Sequence, residues 1–418
     1  MIKSLRGARK GIRLYGYLGF NFLILSVIHK LSDLPIRLGN WQIKAEAFSH
    51  LNIPKDNFYP PGSSLLLVPF LWSGPEYFLA IVFYFLAASA IYFSICENLI
   101  KSPKLRVICL LALSFNPYLL WLVETSQDTV FELFLLLAVA ALWLRKNFWI
   151  SLLPLYVLCL TRPSYWTLLI LIPILIHLIN RNVFDTKLKK LFAIAPSIAL
   201  ISTLGLNSIV FGSSALAGES GLTAHFAHNK YYYLSMPKFD MDVFLSKGGN
   251  MDSDKVIQNS SRFAFVEDRE LRAALISIAE NPKSFVMNTV QKVDSYLFTV
   301  QKNPQLPGSY YLSQDRKSII IEDERLSWTL ILGNVFYFLY RSLLLISTMV
   351  GLTLLFSRVR KRMNPIENNA LLLLLPYFIG IIPGVLYYTE SRFKIVSELL
   401  LVPAIGLILE KNRQLKNN

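Results

Sequence analysis

Long apolar stretches separated by short basic hinges run through this chain from end to end, and they leave it few ways to fold. Ten stretches alternate along the sequence: Leu14–Leu31, Glu76–Ile100, Val107–Val123, Thr129–Leu144, Phe148–Leu160, Tyr165–Asn180, Leu191–Phe211, Tyr337–Phe356, Ala370–Tyr387 and Ile395–Leu409. A helix crosses the bilayer core with about 20 apolar residues, or fewer where neighbours shield it. Within lipid only helices and closed barrels satisfy every backbone polar group. The pattern therefore predicts an all-α polytopic membrane protein of about ten transmembrane helices, with a mixed extracytoplasmic subdomain. Composition agrees, since 54% hydrophobic and 17% charged residues are far from the balance of a soluble domain. The fifth and sixth stretches are joined only by Thr161-Arg162-Pro163-Ser164 and read equally as one broken helix.

Charge orients the pattern. Six short segments, Met1–Arg13, Lys101–Arg106, Arg145–Lys146, Arg181–Lys190, Arg358–Arg362 and Glu410–Asn418, together carry +19 against +15 for the whole chain. Everything else is acidic on balance. The positive-inside rule puts these segments in the cytoplasm, and with them both termini of a multi-pass protein of the plasma (inner) membrane. A nucleic-acid surface is excluded by the same distribution, because the basic residues lie in hairpins between hydrophobic spans. The first apolar run lacks a small-residue cleavage site and is expected to remain as a helix. Cys96, Cys109 and Cys159 fall inside apolar runs, without disulfide or metal-ligand spacing. No Walker loop, dinucleotide fingerprint, zinc-protease or nucleophile-elbow motif is present, which argues against an ATP-driven pump or a metalloprotease. The sequence requires no cofactor and leaves a divalent metal open.

Three regions follow: residues 1–211, a transmembrane module with its first outer loop at 32–62; residues 212–327, an extracytoplasmic subdomain; and residues 328–418, the C-terminal transmembrane helices. In the subdomain, Asp268–Ala279 reads as a helix that stops before Asn281-Pro282. A second helix follows, with Phe285, Asn288, Thr289, Lys292 and Tyr296 at helical spacing. Leu65–Trp72 is apolar but too short to span, so it is expected to dip into or lie along the outer interface.

Polar residues gather in three places on the outer side. The first loop holds Asp33, Arg37, Asn40, Lys44, Glu46, His50, Lys55 and Asp56, a mixture suited to general-base work beside an anionic ligand. It closes on Phe58-Tyr59-Pro60-Pro61-Gly62, a stiff corner that can hold the preceding polar groups near the membrane surface. Thr161-Arg162-Pro163 presents an arginine that either snorkels to headgroups or forks onto a phosphate. Tyr387–Lys394 places Arg392 and Lys394 outside, against the positive-inside trend, which an anionic headgroup would explain. Glu132, a helical turn deeper than Asp128, reads either as the wall of a polar cavity or as the partner of a base such as Arg162.

The basic amino terminus, the polar first loop ending in Tyr-Pro-Pro-Gly, the Thr-Arg-Pro break, the large late outer loop and the final Arg-aromatic helix start resemble the GT-C glycosyltransferases. The branch they are most similar to is that of the bacterial relatives of dolichyl-phosphate-mannose protein mannosyltransferases. The run Glu280–Phe285 followed by Lys292 is similar to a segment of that family. The resemblance implies transfer of a sugar from a polyprenyl-phosphate-sugar donor to a glycan, lipid or protein acceptor on the outer face. It also implies an early first-loop Asp as base, but Asn40 stands at that place here, followed by Ile43 and Ala47. Asn cannot take a proton, so Asp33 or Glu46 is expected to serve, Glu46 first if Trp41–Ser49 is helical and its acid faces the cavity. Arg162, Arg392 and Lys394 become the phosphate-binding candidates, with Tyr59, Pro60 and Pro61 positioning the loop. A lipid-linked glycan polymerase or ligase, and a transporter or flippase for a lipid-linked or anionic solute, are the alternative readings.

Overall fold

The computed structural model of the chain describes residues 2–32, 39–51, 61–73, 77–116, 119–120, 123, 127–171, 186–211, 275, 278–279, 282–298, 310–312, 319–321, 342, 345–354, 365–386 and 394–417. It is a helical protein. In chain order the helices are α1 (Ile2–Ser32), α2 (Gly39–Ser49), α3 (Gly62–Leu67), α4 (Phe78–Leu99), α5 (Pro103–Ser114), α6 (Gln127–Leu144), α7 (Phe148–Thr161) and α8 (Thr186–Phe211). They continue with α9 (Pro282–Phe298), α10 (Leu345–Leu354), α11 (Pro365–Ile379), α12 (Ile381–Leu386), α13 (Ile395–Glu398) and α14 (Leu401–Asn417). A small antiparallel ribbon pairs β1 (Tyr310–Leu312) with β2 (Ile319–Ile321), Tyr310 opposite Ile321.

Among the described residues, Gly11–Lys30, Phe78–Leu99 and Pro365–Gly384 are long and apolar enough to cross a membrane. The outward surface fits such a setting. Leu23 on α1, Ile201 and Ile209 on α8 and Met349 on α10 are all more than half exposed, an arrangement that water would penalise and lipid would not.

Contacts along α1 and α4 show that the two run antiparallel. Arg13 pairs with Glu97 at 3.0 Å, Tyr17 meets Phe93, and His29 stacks on Phe78 at 4.0 Å between ring centroids. Glu97 also takes a hydrogen bond from Arg106 of α5 at 2.8 Å, and Glu410 of α14 accepts the Lys101 and Ser102 amides at 2.9 and 3.0 Å, capping the start of α5. Lys411 pairs with Glu367 at the start of α11. The basic segments at Arg13, Lys101–Arg106 and Glu410 thus come together at one end of the bundle. Helices α6 and α7 form an antiparallel hairpin whose turn is tied by the Trp143 indole donating to Ser151 Oγ at 2.9 Å. Tyr84 of α4 packs edge-on against Phe131 of α6, so α4 and α6 descend side by side and the Arg145–Lys146 turn lies toward the same basic end.

Two expected boundaries move. The first helix begins at Ile2, ahead of the expected span from Leu14, because its Lys- and Arg-rich start can continue the helix. The stretch expected over Val107–Val123 is helical to Ser114 in α5, gives way at Phe115-Asn116 before Pro117, and is helical again at Leu119, Leu120 and Val123. Leu65–Trp72 is helical as α3 and a following 3₁₀ turn, packed against α7 and α4. The expected helix after Pro282 is present as α9, with Lys292 and Tyr296 buried and Val286, Met287 and Val290 exposed. The expected helix Asp268–Ala279 lies almost wholly outside the described residues.

Helix α9 docks on the α11–α12 junction through one aromatic. The Tyr296 hydroxyl donates to the Tyr377 carbonyl at 3.1 Å, while the Tyr377 hydroxyl donates back to the carbonyls of Tyr296 and Leu297, each at 3.3 Å. Gly380 and Gly384 form the notch: a methyl group at Gly380 would overlap the Tyr296 hydroxyl, and one at Gly384 would come within 2.8 Å of the ring. Gly380→Ala is therefore expected to cost about 1–3 kcal/mol, read as a lower melting temperature in nanodiscs. The penalty should shrink in a Tyr296→Phe background, where the overlapping oxygen is gone. Equal penalties in both backgrounds would refute this packing.

Candidate functional site

The site is built where α7 stops. Thr161 Oγ1 donates to the Val157 carbonyl at 2.9 Å and the Arg162 amide makes the last helical hydrogen bond, to the Leu158 carbonyl at 2.8 Å. Pro163 forces the residue before it out of the helical region, and Arg162 is extended, with φ −144° and ψ 112°. That one extended residue turns the arginine away from the course of α7 and onto α6.

On α6, Asp128 and Glu132 lie one turn apart and share a face. Arg162 Nη2 reaches Asp128 Oδ2 at 2.5 Å and Nε reaches Glu132 Oε2 at 2.9 Å. The Tyr165 hydroxyl, one 3₁₀ turn later, donates to Glu132 Oε1 at 2.6 Å. Glu132 Oε1 thus accepts a hydrogen bond, while Oε2 is held at ion-pair distance without one. Side-chain exposure rises outward through the group, from 0% at Glu132 through 5% at Arg162 to 18% at Asp128, so Asp128 is the edge at which it meets its surroundings. A guanidinium forked between two carboxylates is a strong charge-assisted arrangement in such a dry place.

The corner of the first loop abuts this break. A Cβ on Gly62 would lie 2.5 Å from both the Leu160 carbonyl carbon and the Thr161 nitrogen, so only glycine permits the approach. The next residues, Ser63 and Ser64, are fully buried, as is Thr129 beside Asp128. Helix α3 packs on both α6 and α7.

A second polar group reaches the same helix from the C-terminal part of the chain. Lys394 Nζ donates to the Tyr296 carbonyl at 2.7 Å, lies 5.6 Å from the Tyr296 ring centroid and is 3.6 Å from Glu398. The short α13 that follows packs against α6. Tyr296 is within electrostatic range of Glu132 and of Tyr165. Burial pushes the Lys394 ammonium below its ordinary range and brings Lys292 down to about 8, so neither is as permanent a cation as Arg162.

The expected site residues are distributed unevenly over this picture. Glu46 is solvent-exposed on α2, close enough to Tyr77 for its charge to be felt there; α2 covers the Trp41–Ser49 stretch on which Glu46 was preferred as base. Asn40 also lies on α2. Asp33, Tyr59, Pro60 and Arg392 lie outside the described residues. Arg162, expected to snorkel or to grip a phosphate, holds α6 carboxylates instead, the pairing with Glu132 that the sequence left open. Lys394, another phosphate candidate, is buried and committed to Tyr296 and Glu398. Sequence reasoning passed over Tyr165 and Glu398, and it named Gly62 only as the loop corner and Tyr296 only as a helical position. Only Glu398, four residues after Lys394, carried a local signal. Among the described residues no three His, Cys, Asp or Glu side chains cluster as metal ligands.

No family model, curated protein or solved structure matches the chain. The residues and their geometry are therefore the ground for any functional reading.

Proposed function

We propose that this chain is a membrane glycosyltransferase that moves a sugar from a polyprenyl-phosphate donor to a glycan, lipid or protein acceptor on the outer face of the membrane. The observation that carries this reading is the approach of Gly62 to the Arg162 break beside Asp128. It sets the end of the polar first loop against a dry, charged cluster. In this reading the chain crosses the plasma membrane about ten times. Both termini lie in the cytoplasm, and the Asp128 end of the bundle faces out.

The acceptor hydroxyl attacks the anomeric carbon of the donor sugar. Its proton passes to Glu46 or Asp33, the new glycosidic bond forms, and the bond from carbon to phosphate oxygen breaks, with its electron pair leaving on polyprenyl phosphate. Arg392 balances the departing charge. Arg162 is a positioning residue here, holding Asp128 and Glu132 rather than the lipid. A divalent metal is optional in this scheme.

The test is turnover of radiolabelled polyprenyl-phosphate sugars by the purified full chain in nanodiscs. Released polyprenyl phosphate that falls about a hundredfold or more in Glu46→Gln or Asp33→Asn supports the enzyme and names its base. Unchanged release in both variants removes these acids from the mechanism. No release with any donor tested contradicts the transferase and favours a transporter of lipid-linked solutes.

A further inference from the structure

Two turns at the basic end of the bundle are built alike and filled differently. The α4–α5 turn carries exposed Lys101 and Lys104 at the head of an exposed apolar strip on α5, formed by Val107, Ile108 and Leu111. An anion from within the chain fills that turn: Glu410 accepts the Lys101 and Ser102 amides at 2.9 and 3.0 Å, and the neighbouring Arg106 turns inward to Glu97 at 2.8 Å. The α6–α7 turn carries exposed Arg145 and Lys146 at the head of a second strip, Trp149, Ile150 and Leu153 on α7. Neither of these cations pairs with an acid among the described residues. Lys146 also closes its turn in the left-handed region, with φ 60°, its amide donating to the Trp143 carbonyl at 2.9 Å. Glycine would adopt that backbone without steric cost, and a lysine held there marks a turn whose side chain has a use.

The helix fixes how the parts of this second turn lie. Trp149 and Ile150 precede Leu153 by four and three residues, so all three share one face of α7. Trp149 and Leu153 are more than half exposed, on an apolar helix that begins directly after the two cations. Acyl chains cover such a face at no cost, and an exposed indole N–H one turn below a cation stands at the depth of lipid phosphates and esters. Charge chooses among occupants. A second copy of this face would set cation against cation, whereas an anionic headgroup supplies what Glu410 supplies to the α4–α5 turn. We infer that the Arg145–Lys146 turn and the Trp149, Ile150 and Leu153 strip bind one anionic phospholipid, its phosphate at the two cations and an acyl chain along the strip. The site lies at the other end of α6 from Asp128, about 25 Å away along the helix, and it is independent of the transferase reading.

The experiment is native mass spectrometry of the full chain in mild detergent, with phosphatidylglycerol and phosphatidylcholine of identical acyl chains added together. Wild type should hold phosphatidylglycerol roughly thirtyfold more tightly than phosphatidylcholine, as for two cations near a phosphate. Arg145→Gln/Lys146→Gln should bring the two lipids close to equal. Lys101→Gln/Lys104→Gln removes as much charge from the turn that Glu410 already fills, and should leave the preference in place. Trp149→Ala/Leu153→Ala should weaken both lipids alike, because the strip holds the chain and not the headgroup. All these side chains are exposed, so the variants should melt with wild type. No preference in wild type, equal losses in the two lysine-containing variants, or lipid binding indifferent to the strip would each overturn the site; the second result would show attraction to net charge alone.

Discussion

Arg162→Ala will cost the fold about 3–5 kcal/mol, because it removes the cation held between Asp128 and the fully buried Glu132. Asp128 and Glu132 lie 2.5 and 2.9 Å from the guanidinium, and Glu132 is fully buried. Arg162→Lys should recover only part of the loss, since one ammonium on a flexible stem cannot reproduce the fork that reaches both acids. Removing the acid instead is milder: Glu132→Gln keeps an acceptor for the Tyr165 hydroxyl and leaves Arg162 paired with Asp128. Yield of monodisperse protein and melting temperature in nanodiscs should therefore rank wild type above Glu132→Gln, Glu132→Gln above Arg162→Lys, and Arg162→Ala last. An Arg162→Ala variant as stable as wild type would mean that the arginine faces lipid headgroups or water.

Gly62→Ala is the second large effect. The added methyl would meet backbone atoms of Leu160 and Thr161 at 2.5 Å, and the end of a packed helix cannot swing aside as a flexible side chain would. The cost should be about 3 kcal/mol, the upper part of the range for overpacking, and it should fall on the contact of α3 with α7. Turnover should drop further than the loss of folded protein explains, because the first loop is carried away from Asp128. Gly16→Ala supplies the control. A methyl there has nothing within 4 Å, and replacing a mid-helix glycine should stabilise by about 1 kcal/mol. Identical behaviour of the two variants would show that the loop corner does not rest on the break.

Local rules made much of this legible in the sequence. Helix α9 was readable because Phe285, Lys292 and Tyr296 repeat at the helical period, and that face is the buried one. The end of α7 was readable because proline follows Arg162, and the Arg162–Glu132 pair was one of two stated options because an acid that deep needs a partner. What stayed hidden depends on residues far apart in the chain. Nothing near Gly62 announces that its missing side chain admits Leu160 and Thr161, nor does anything near Tyr296 announce the notch at Gly380 and Gly384. Lys394 looked like an outward cation because the Tyr296 carbonyl it donates to lies far off in the chain and becomes its neighbour only on folding. The early stop of α5 was a different kind of miss: hydropathy runs on through Asn116-Pro117, but backbone sterics do not.

A double-mutant cycle between Arg162→Gln and Asp128→Asn, read as unfolding free energy of the full chain in nanodiscs, tests the α6–α7 charge lock most directly. The two losses should fail to add by about 1–3 kcal/mol, since the second change removes a group whose partner has already gone. Additive losses would mean that Arg162 does not hold Asp128, and the site assembled around that pair would not exist.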